Sequence, residues 1–430
     1  MKKCITAAIA FVLVLALALS GCSFRPRIMP ANTEQQGEMT SAADDASFKV
    51  GFLFANDTGS SSTIARVAAI RKMQVQTGLA DSQIVMKTNV KKSNVESVVD
   101  KMVDKGCKLI ISCDHKFEEP VYISVQKYPD IQFCQEDGDF AGRANVGNFH
   151  SYYSRLYEAY YVAGAVVGLK IVDMINNGRA SSDNCRLGFV ASDDTPEAIT
   201  AFTAFYQGVH SITKLPSMYV RYVGKSGVYD KDGEAAKQLA AAGVVAMSQF
   251  TSTKAVAAVC AESGIYFVGN EVNMIDQAPK VALCSAITDY SVYYKYVVEA
   301  CVNGQPIATD WVQGYAENVN MISQLNDAHV ANDTQAYVQE LEQKIRKGKV
   351  RIFDTKEMYV DGESLYTLID SKADGYEKFK DRLKKNGSYV ESSVNSKPIF
   401  DVMIDGIEES TYDYLADKEA SEAAAKEPDY

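Results

Sequence analysis

Histidine, tryptophan and closely paired cysteines are scarce in this chain, and each scarcity removes a class of chemistry. The four histidines, His115, His150, His210 and His329, stand far apart with no HExxH, so a histidine-built metal site has no ligand spacing to start from. There is no GxSxG elbow for a serine nucleophile and no Walker A loop for a nucleotide phosphate; Gly224-Lys225-Ser226-Gly227 lacks the upstream glycine. Cations are outnumbered, with 44 Lys and Arg against 55 Asp and Glu and a net charge of -11. Sequence-independent nucleic-acid binding needs the opposite balance, because Lys and Arg must displace phosphate counterions. Nine cysteines include no CxxC; setting aside Cys4 and Cys22 leaves seven, an odd number scattered through apolar segments. That pattern suits small buried hydrophobes and argues against a disulfide framework. These absences point away from an enzyme, and no cofactor is called for.

What the chain does have begins at its N-terminus. Met1-Lys2-Lys3 is basic, Ile5 to Leu19 is apolar and too short for a comfortable membrane span, and Leu19-Ser20-Gly21-Cys22 follows. The arrangement resembles a bacterial lipoprotein signal peptide, residues 1–21, which implies cleavage before Cys22 and a lipid on its sulfur. Residues 22–47, rich in Pro, Ser, Thr, Gln, Asp and Glu, read as a tether. Later apolar helices are broken by charge, so no further span is expected.

A length of 430 residues predicts more than one domain. Lys49-Val50-Gly51-Phe52-Leu53-Phe54-Ala55 reads as a buried strand, Asn56 to Thr63 as a polar loop, and Ile64 to Lys72 as a helix. Val95, Val98, Val99, Met102 and Val103 share one helical face that ends at Gly106, Cys107 to Ser112 is the next strand, and Ile131 to Cys134 another, running into Glu136-Asp137-Gly138. Ser151 to Met174 reads as one long helix. A second strand-helix series then opens with Arg186 to Ala191, Asp193-Asp194-Thr195-Pro196 and a helix from Glu197 to Ile212, and continues to Gly269. Strand-helix alternation of this kind predicts an α/β chain of two doubly wound parallel-sheet lobes. The expected boundaries are 48–157 for the first lobe with part of 270–330, 158–269 for the second with part of 331–409, and a flexible tail over 410–430.

Several collinear landmarks carry a more specific likeness: Glu158-Ala159-Tyr160-Tyr161-Val162-Ala163-Gly164, Leu187-Gly188-Phe189-Val190 with Asp193, Asp194 and Pro196, Phe205 to Gly208, Tyr222-Val223-Gly224 with Tyr229-Asp230, and Gly269 with Glu271. Together they resemble the basic membrane protein family of substrate-binding lipoproteins, which includes purine nucleoside receptors of ABC importers. The resemblance implies a type I periplasmic-binding-protein-like fold that closes by a hinge on a small solute. It also implies ABC permease and ATPase partners, a monomer, and a lipid-anchored position on the extracytoplasmic face of the cell membrane.

The resemblance further implies where ligand contacts fall, and here the chain departs from the family. Asn56, Asp57, Ser62 and Thr63 occupy the first loop, where Thr63-Ile64 stands in place of the family's Phe-Asn. Asp114, Phe117 and Glu119 follow the strand ending at Ser112, Asp193 and Asp194 fill the fourth loop, and Phe250 and Thr251 offer a ring and a hydroxyl from the second lobe. Asn270, Glu271 and Asn273 replace a family segment with two Asp, and Asp289 lies where the family has Lys. Asp57, Glu119 and Asp194 read equally as first-turn acids of helices, and Phe250 equally as core. A nucleoside-like solute is the expected ligand; a flavin, a sugar, or a sensing role beside a membrane receptor are the alternatives.

Overall fold

β1 (Lys49–Leu53) is apolar and buried from Val50 to Leu53 because helices cover both faces of its sheet. The computed structural model describes residues 47–144, 146–214, 217–224 and 228–411. The signal segment, Cys22, nearly all of the tether and most of the tail lie outside the described residues.

In the first lobe β1 pairs in parallel with β2 (Ile84–Lys87) and β3 (Cys107–Ser112), and the sheet continues through β4 (Gln132–Glu136) and β5 (Phe149–Ser154) to β11 (Asp310–Gln313). Helices α1 (Ser61–Thr77), α2 (Val95–Asp104), α3 (Glu118–Lys127), α4 (Phe140–Ala144) and α9 (Ser291–Val302) belong to this lobe. Gly78 ends α1 with φ of 74°, its N–H donating to Gln74 O at 2.9 Å. Ala69, Ile70 and Met73 on α1 pack with Tyr293, Tyr294 and Val297 on α9, against Tyr152 and Trp311 of the sheet.

The second lobe holds a seven-stranded sheet in the order β17-β7-β6-β8-β9-β10-β12. Its strands are β6 (Arg186–Ala191), β7 (Ser217–Tyr222), β8 (Ala246–Phe250), β9 (Tyr266–Asn270), β10 (Ala282–Thr288), β12 (Asn320–Ile322) and β17 (Ile407–Thr411). All neighbours are parallel except β12, which runs antiparallel to β10. Helices α5 (Tyr157–Asn176), α6 (Pro196–His210), α7 (Tyr229–Ala241), α8 (Ala255–Ser263) and α10 (Thr334–Arg346) complete it. α5 and α6 touch backbone to backbone: a Cβ on Gly164 would lie 2.1 Å from Phe205 O, and one on Gly208 would lie 2.0 Å from Tyr161 O. The small residues in the Glu158-to-Gly164 and Phe205-to-Gly208 landmarks are therefore packing requirements.

The segment expected as a helix from Ser151 begins instead as β5, and the helix starts at Tyr157. Strand geometry lets Tyr152 stack on Tyr293 with centroids 4.1 Å apart and donate its hydroxyl to Ser112 O at 3.2 Å. The chain passes between lobes after β5, after β10 and after β11, and side chains stitch these passages together. Ser154 Oγ lies 3.3 Å from Thr288 Oγ1, Asn320 Nδ2 donates to Thr288 Oγ1 at 2.8 Å, and the Arg155 N–H donates to Gln313 O at 2.9 Å. Within 270–330, α9 and β11 thus belong to the first lobe, while β10 and β12 belong to the second.

Beyond α10 the chain forms β13 (Phe353–Asp354), a hairpin of β14 (Tyr359–Val360) and β15 (Glu363–Ser364), α11 (Leu365–Asp370) and β16 (Ser388–Tyr389), which pairs with β13. Their apolar residues Leu365, Ile369, Phe379, Tyr389 and Phe400 join the second-lobe core. A loop after β16 reaches back to the first lobe. The buried Glu391 carboxylate accepts from Tyr389 OH at 2.8 Å and from the N–H groups of Ile399 and Phe400 at 2.8 and 3.1 Å. Buried Ser396 sets its hydroxyl 2.8 Å from Gly138 O and donates its N–H to Asp310 Oδ1 at 3.2 Å. β17 then adds to β7, so Ser410 and Thr411 lie in a strand and not in the tail expected from 410 onward.

Candidate functional site

The carboxyl ends of β1, β3 and β4 face those of β6, β8 and β9, the position at which open α/β sheets offer loops to a ligand. The two sets of loops touch. The Ser61 N–H at the start of α1 donates to Ser252 O at 3.0 Å, and Lys116 Nζ stands 3.6 Å from Asp193 Oδ2.

Arg66 is buried in this seam. One turn into α1, its guanidinium makes two bonds to Glu136 at the end of β4, Nε to Oε2 at 3.2 Å and Nη2 to Oε1 at 2.6 Å. Nη1 donates to Ser62 Oγ at 2.6 Å and, across the seam, to Glu271 Oε1 at 2.8 Å. The flat face of the group lies 4.2 Å from the centroid of the Tyr290 ring. The Arg66 and Glu136 side chains are each 8% exposed and that of Glu271 9%. Burial alone lowers the affinity of Arg66 for its proton, but Glu136, Tyr290 and Glu271 outweigh it and hold the guanidinium charged. Burial pushes the Glu271 carboxyl up, with Arg66 opposing and Glu136 adding. Asp137, next along the chain, is held well above the usual carboxylate range by burial first and then by Glu136 and Glu197.

Glu271 adopts φ of 62° directly after β9, a left-handed backbone that costs a non-glycine residue on the order of 1–3 kcal/mol. Its N–H donates to Ala286 O at 2.8 Å, which fixes the turn and aims the carboxylate at the opposite lobe. Glu271 Oε2 is buried without a hydrogen-bond partner, as are the hydroxyls of Ser60 and Ser61 at the start of α1. A buried acceptor left unmatched costs about 1–3 kcal/mol, so these atoms mark places where a donor would be bound well.

The residues expected from sequence divide into groups. Ser62 and Glu271 meet at Arg66, and Thr63 is buried beside them on α1. Thr251 sits in the loop that Ser61 touches, and Asp193 faces Lys116. Asn270 is adjacent but committed: its Oδ1 lies 2.8 Å from the Tyr160 hydroxyl and its Nδ2 donates to Thr251 O. Phe250 packs against the second-lobe core, with Tyr160 as its ring neighbour at 6.4 Å. Asp114 accepts from the Lys116 N–H at 2.9 Å and caps the turn after β3.

Others stand outside the seam. Phe117 is buried in the first-lobe core with Val121 and Phe133, because a short helical turn after β3 rolls its ring inward. Glu119 is exposed and pairs with Lys92 at 2.9 Å. Asp57 accepts from the Gly59 N–H and Asn273 from the Ile275 N–H, both as local turn caps, and Asp194 is exposed. Half-buried Asn56 lends its carbonyl to the Asn89 N–H. Asp289 accepts from the Ser291 N–H and pairs with Lys72 at a lobe passage.

Arg66, Glu136 and Tyr290 are absent from the expected set. The available signal for Arg66 was a lone cation among the small and apolar residues of early α1; for Glu136 it was an acid at a strand end.

A protein family described as ABC transporter substrate-binding protein, PnrA-like, matches residues 50–356. The chain belongs to this family. It is similar to a purine-binding protein of Brucella abortus, 24% identical over 309 residues that cover 71% of this chain and 83% of the relative. A putative ABC transporter glucose-binding protein of Haloferax volcanii is 24% identical over 232 residues, 54% of this chain and 56% of the relative. Among solved structures, an ABC transporter solute-binding protein from Aeropyrum pernix superposes with a TM-score of 0.60 at 17% identity, covering 76% of this chain and 97% of that one. One from Conexibacter woesei gives 0.56 at 16% identity, over 71% and 98%. These structures share the type I two-lobed fold expected from sequence. Substrate-binding proteins of this family work with a small solute and with permease and ATPase components. The segment from 357 onward, including Glu391, Ser396 and β17, lies outside the matched region.

Proposed function

We propose that this substrate-binding protein captures a nucleoside-like solute between its lobes and hands it to an ABC permease from a lipid anchor on Cys22. The solute is a planar ring bearing N–H and hydroxyl donors. The observation that carries the reading is the set of unmatched polar atoms in the seam, Glu271 Oε2 with the Ser60 and Ser61 hydroxyls, on both sides of a cleft. Ring N–H groups and ribose hydroxyls are the donors such atoms accept. The name of the Brucella relative supports a purine. No bond chemistry is involved: closure brings the second lobe onto a solute held by the first. The protein acts as a monomer and needs no cofactor.

The name of the Haloferax relative favours a second reading, a sugar, whose hydroxyls suit the same acceptors. Mass spectrometry of the full-length protein purified from membranes tests both points at once, reading any co-purified solute and the lipid on Cys22. A thermal-shift series with adenosine, guanosine, inosine, the pyrimidine nucleosides and glucose then assigns the class. A rise with a nucleoside supports the proposal. A rise with glucose alone replaces the nucleoside by a sugar and leaves the transport reading in place.

A further inference from the structure

Glu271 has one oxygen committed and one free, and the division runs along the boundary between the lobes. Oε1 is held by Arg66 of the first lobe, while Oε2 is buried and unmatched. Arg66 is fixed independently of Glu271, because both bonds to Glu136 and the bond to Ser62 lie within the first lobe. The planar fork of an arginine suits this arrangement: two parallel bonds anchor one edge and leave another nitrogen pointing elsewhere, which an ammonium group cannot reproduce. On the second lobe the left-handed backbone at Glu271 presents its carboxylate in a set direction.

We propose that Arg66 is a positioning residue that couples solute capture to lobe closure. Anchored to Glu136, it takes Glu271 Oε1 when the second lobe arrives and so orients Oε2 toward a donor on the solute. One carboxylate then serves as latch and as ligand contact. A solute that supplies the donor stabilises the closed arrangement; one that lacks it leaves a buried acceptor unmatched. Two carboxylates around one guanidinium also leave the site net negative, so a solute bearing phosphate is disfavoured against its neutral counterpart. The solute side of this proposal rests on the nucleoside reading above; the latch does not.

The test uses the full-length protein with a fluorophore on each lobe, at Val75→Cys on α1 and Tyr229→Cys on α7, both exposed. Glu271→Gln keeps the shape and weakens the latch, Arg66→Met removes it, and Arg66→Lys keeps the charge without the fork. Without solute, the first two variants are expected to depopulate the closed state, and the double variant to be no more open than either single one. With guanosine as probe, dissociation is expected to accelerate about tenfold in Glu271→Gln and Arg66→Met with little change in association, and Arg66→Lys to fall between. A purely structural role would lower the melting temperature without this split between rates. Closure and dissociation unchanged in both Glu271→Gln and Arg66→Met would overturn the proposal. If no nucleoside binds but the variants still open the lobes, the latch stands and the nucleoside reading falls.

Discussion

The two lobes repeat one architecture but hold themselves together differently. At two contacts across the seam the first lobe supplies the cation, Arg66 or Lys116, and the second the carboxylate, Glu271 or Asp193, while Glu136 of the first lobe also holds Arg66. Lys72 on α1 follows the same sense with Asp289 at a lobe passage. In the cores, the first lobe packs Tyr152 in a stack on Tyr293 with Trp311 tilted against it, whereas the second closes α5 against α6 through glycines and takes an extra layer from the C-terminal segment. Each lobe is therefore stabilised by its own packing, and the lobes meet through ion pairs and through hydrogen bonds such as Ser61 to Ser252 and Ser396 to Gly138.

The difference in packing gives the largest expected effect. Gly208→Ala puts a Cβ within 2.0 Å of backbone on α5, where no side-chain rotation relieves the clash. A loss of about 3 kcal/mol or more is expected in chemical denaturation. Gly59→Ala in the first-lobe loop is the contrasting variant, since its Cβ meets only Asp57 Oδ1 at 3.3 Å. It should change stability by less than about 0.5 kcal/mol. Equal costs for the two would mean that α5 and α6 do not meet backbone to backbone at Gly208.

A second contrast appears with pH. In the first lobe His150 is pushed down to about 4 by burial, against the hydrogen bond that its ring donates to Ala308 O. In the second, Asp232 is pushed up to about 6 by burial, against the hydrogen bond that the Thr253 hydroxyl donates to it at 2.6 Å. For His150 the folded value lies below the ordinary 6.5, so the unfolded chain takes the proton first and stability falls as pH drops from about 6.5 to about 4. For Asp232 the folded value lies above 3.8, so its contribution is largest at low pH and is lost as pH rises toward about 6. Each amounts to at most about 3 kcal/mol, and over pH 4–6 the two slopes oppose. Relative to the wild type, His150→Gln should lose less stability on acidification and Asp232→Asn should lose more. Urea midpoints across this range measure both, and changes of slope of the same sign from the wild type in the two variants would refute the opposition.

The same contrast explains what the sequence could reveal. Both lobes and most strand-helix units follow from apolar runs bounded by polar turns, since periodicity is local information. β5 was hidden because Ser151 to Tyr161 carries aromatics that suit strand and helix alike, and its partners, β4 and β11, lie partly far along the chain. β17 was hidden for a similar reason, because its pairing to β7 joins residues nearly two hundred positions apart. In the seam, Glu271 could be found by position after a strand. Arg66 could not be recognised as its partner, because the two residues are separated by 205 positions and neither neighbourhood signals the other. Phe117 and Glu119 misled for the complementary reason: they follow a strand end as a ligand contact does, but the turn sends one ring into the core and one carboxylate to solvent.

The smallest expected effect separates two of the interlobe ion pairs. Lys116 and Asp193 are 3.6 Å apart with side chains 56% and 28% exposed, whereas Arg66 and Glu271 are buried. Exposed pairs contribute a few tenths of a kcal/mol to about 1 kcal/mol and are screened by salt. Lys116→Gln should therefore accelerate solute dissociation by less than about fivefold at low salt, and the difference should disappear near 0.5 M salt, where screening acts over roughly 4 Å. The effect of Glu271→Gln should persist there, because ions do not enter a buried contact. A Lys116 effect that survives high salt would mean that this pair, too, is shielded from water as the lobes close, and that the boundary between latch and rim lies further out than the side-chain exposures place it.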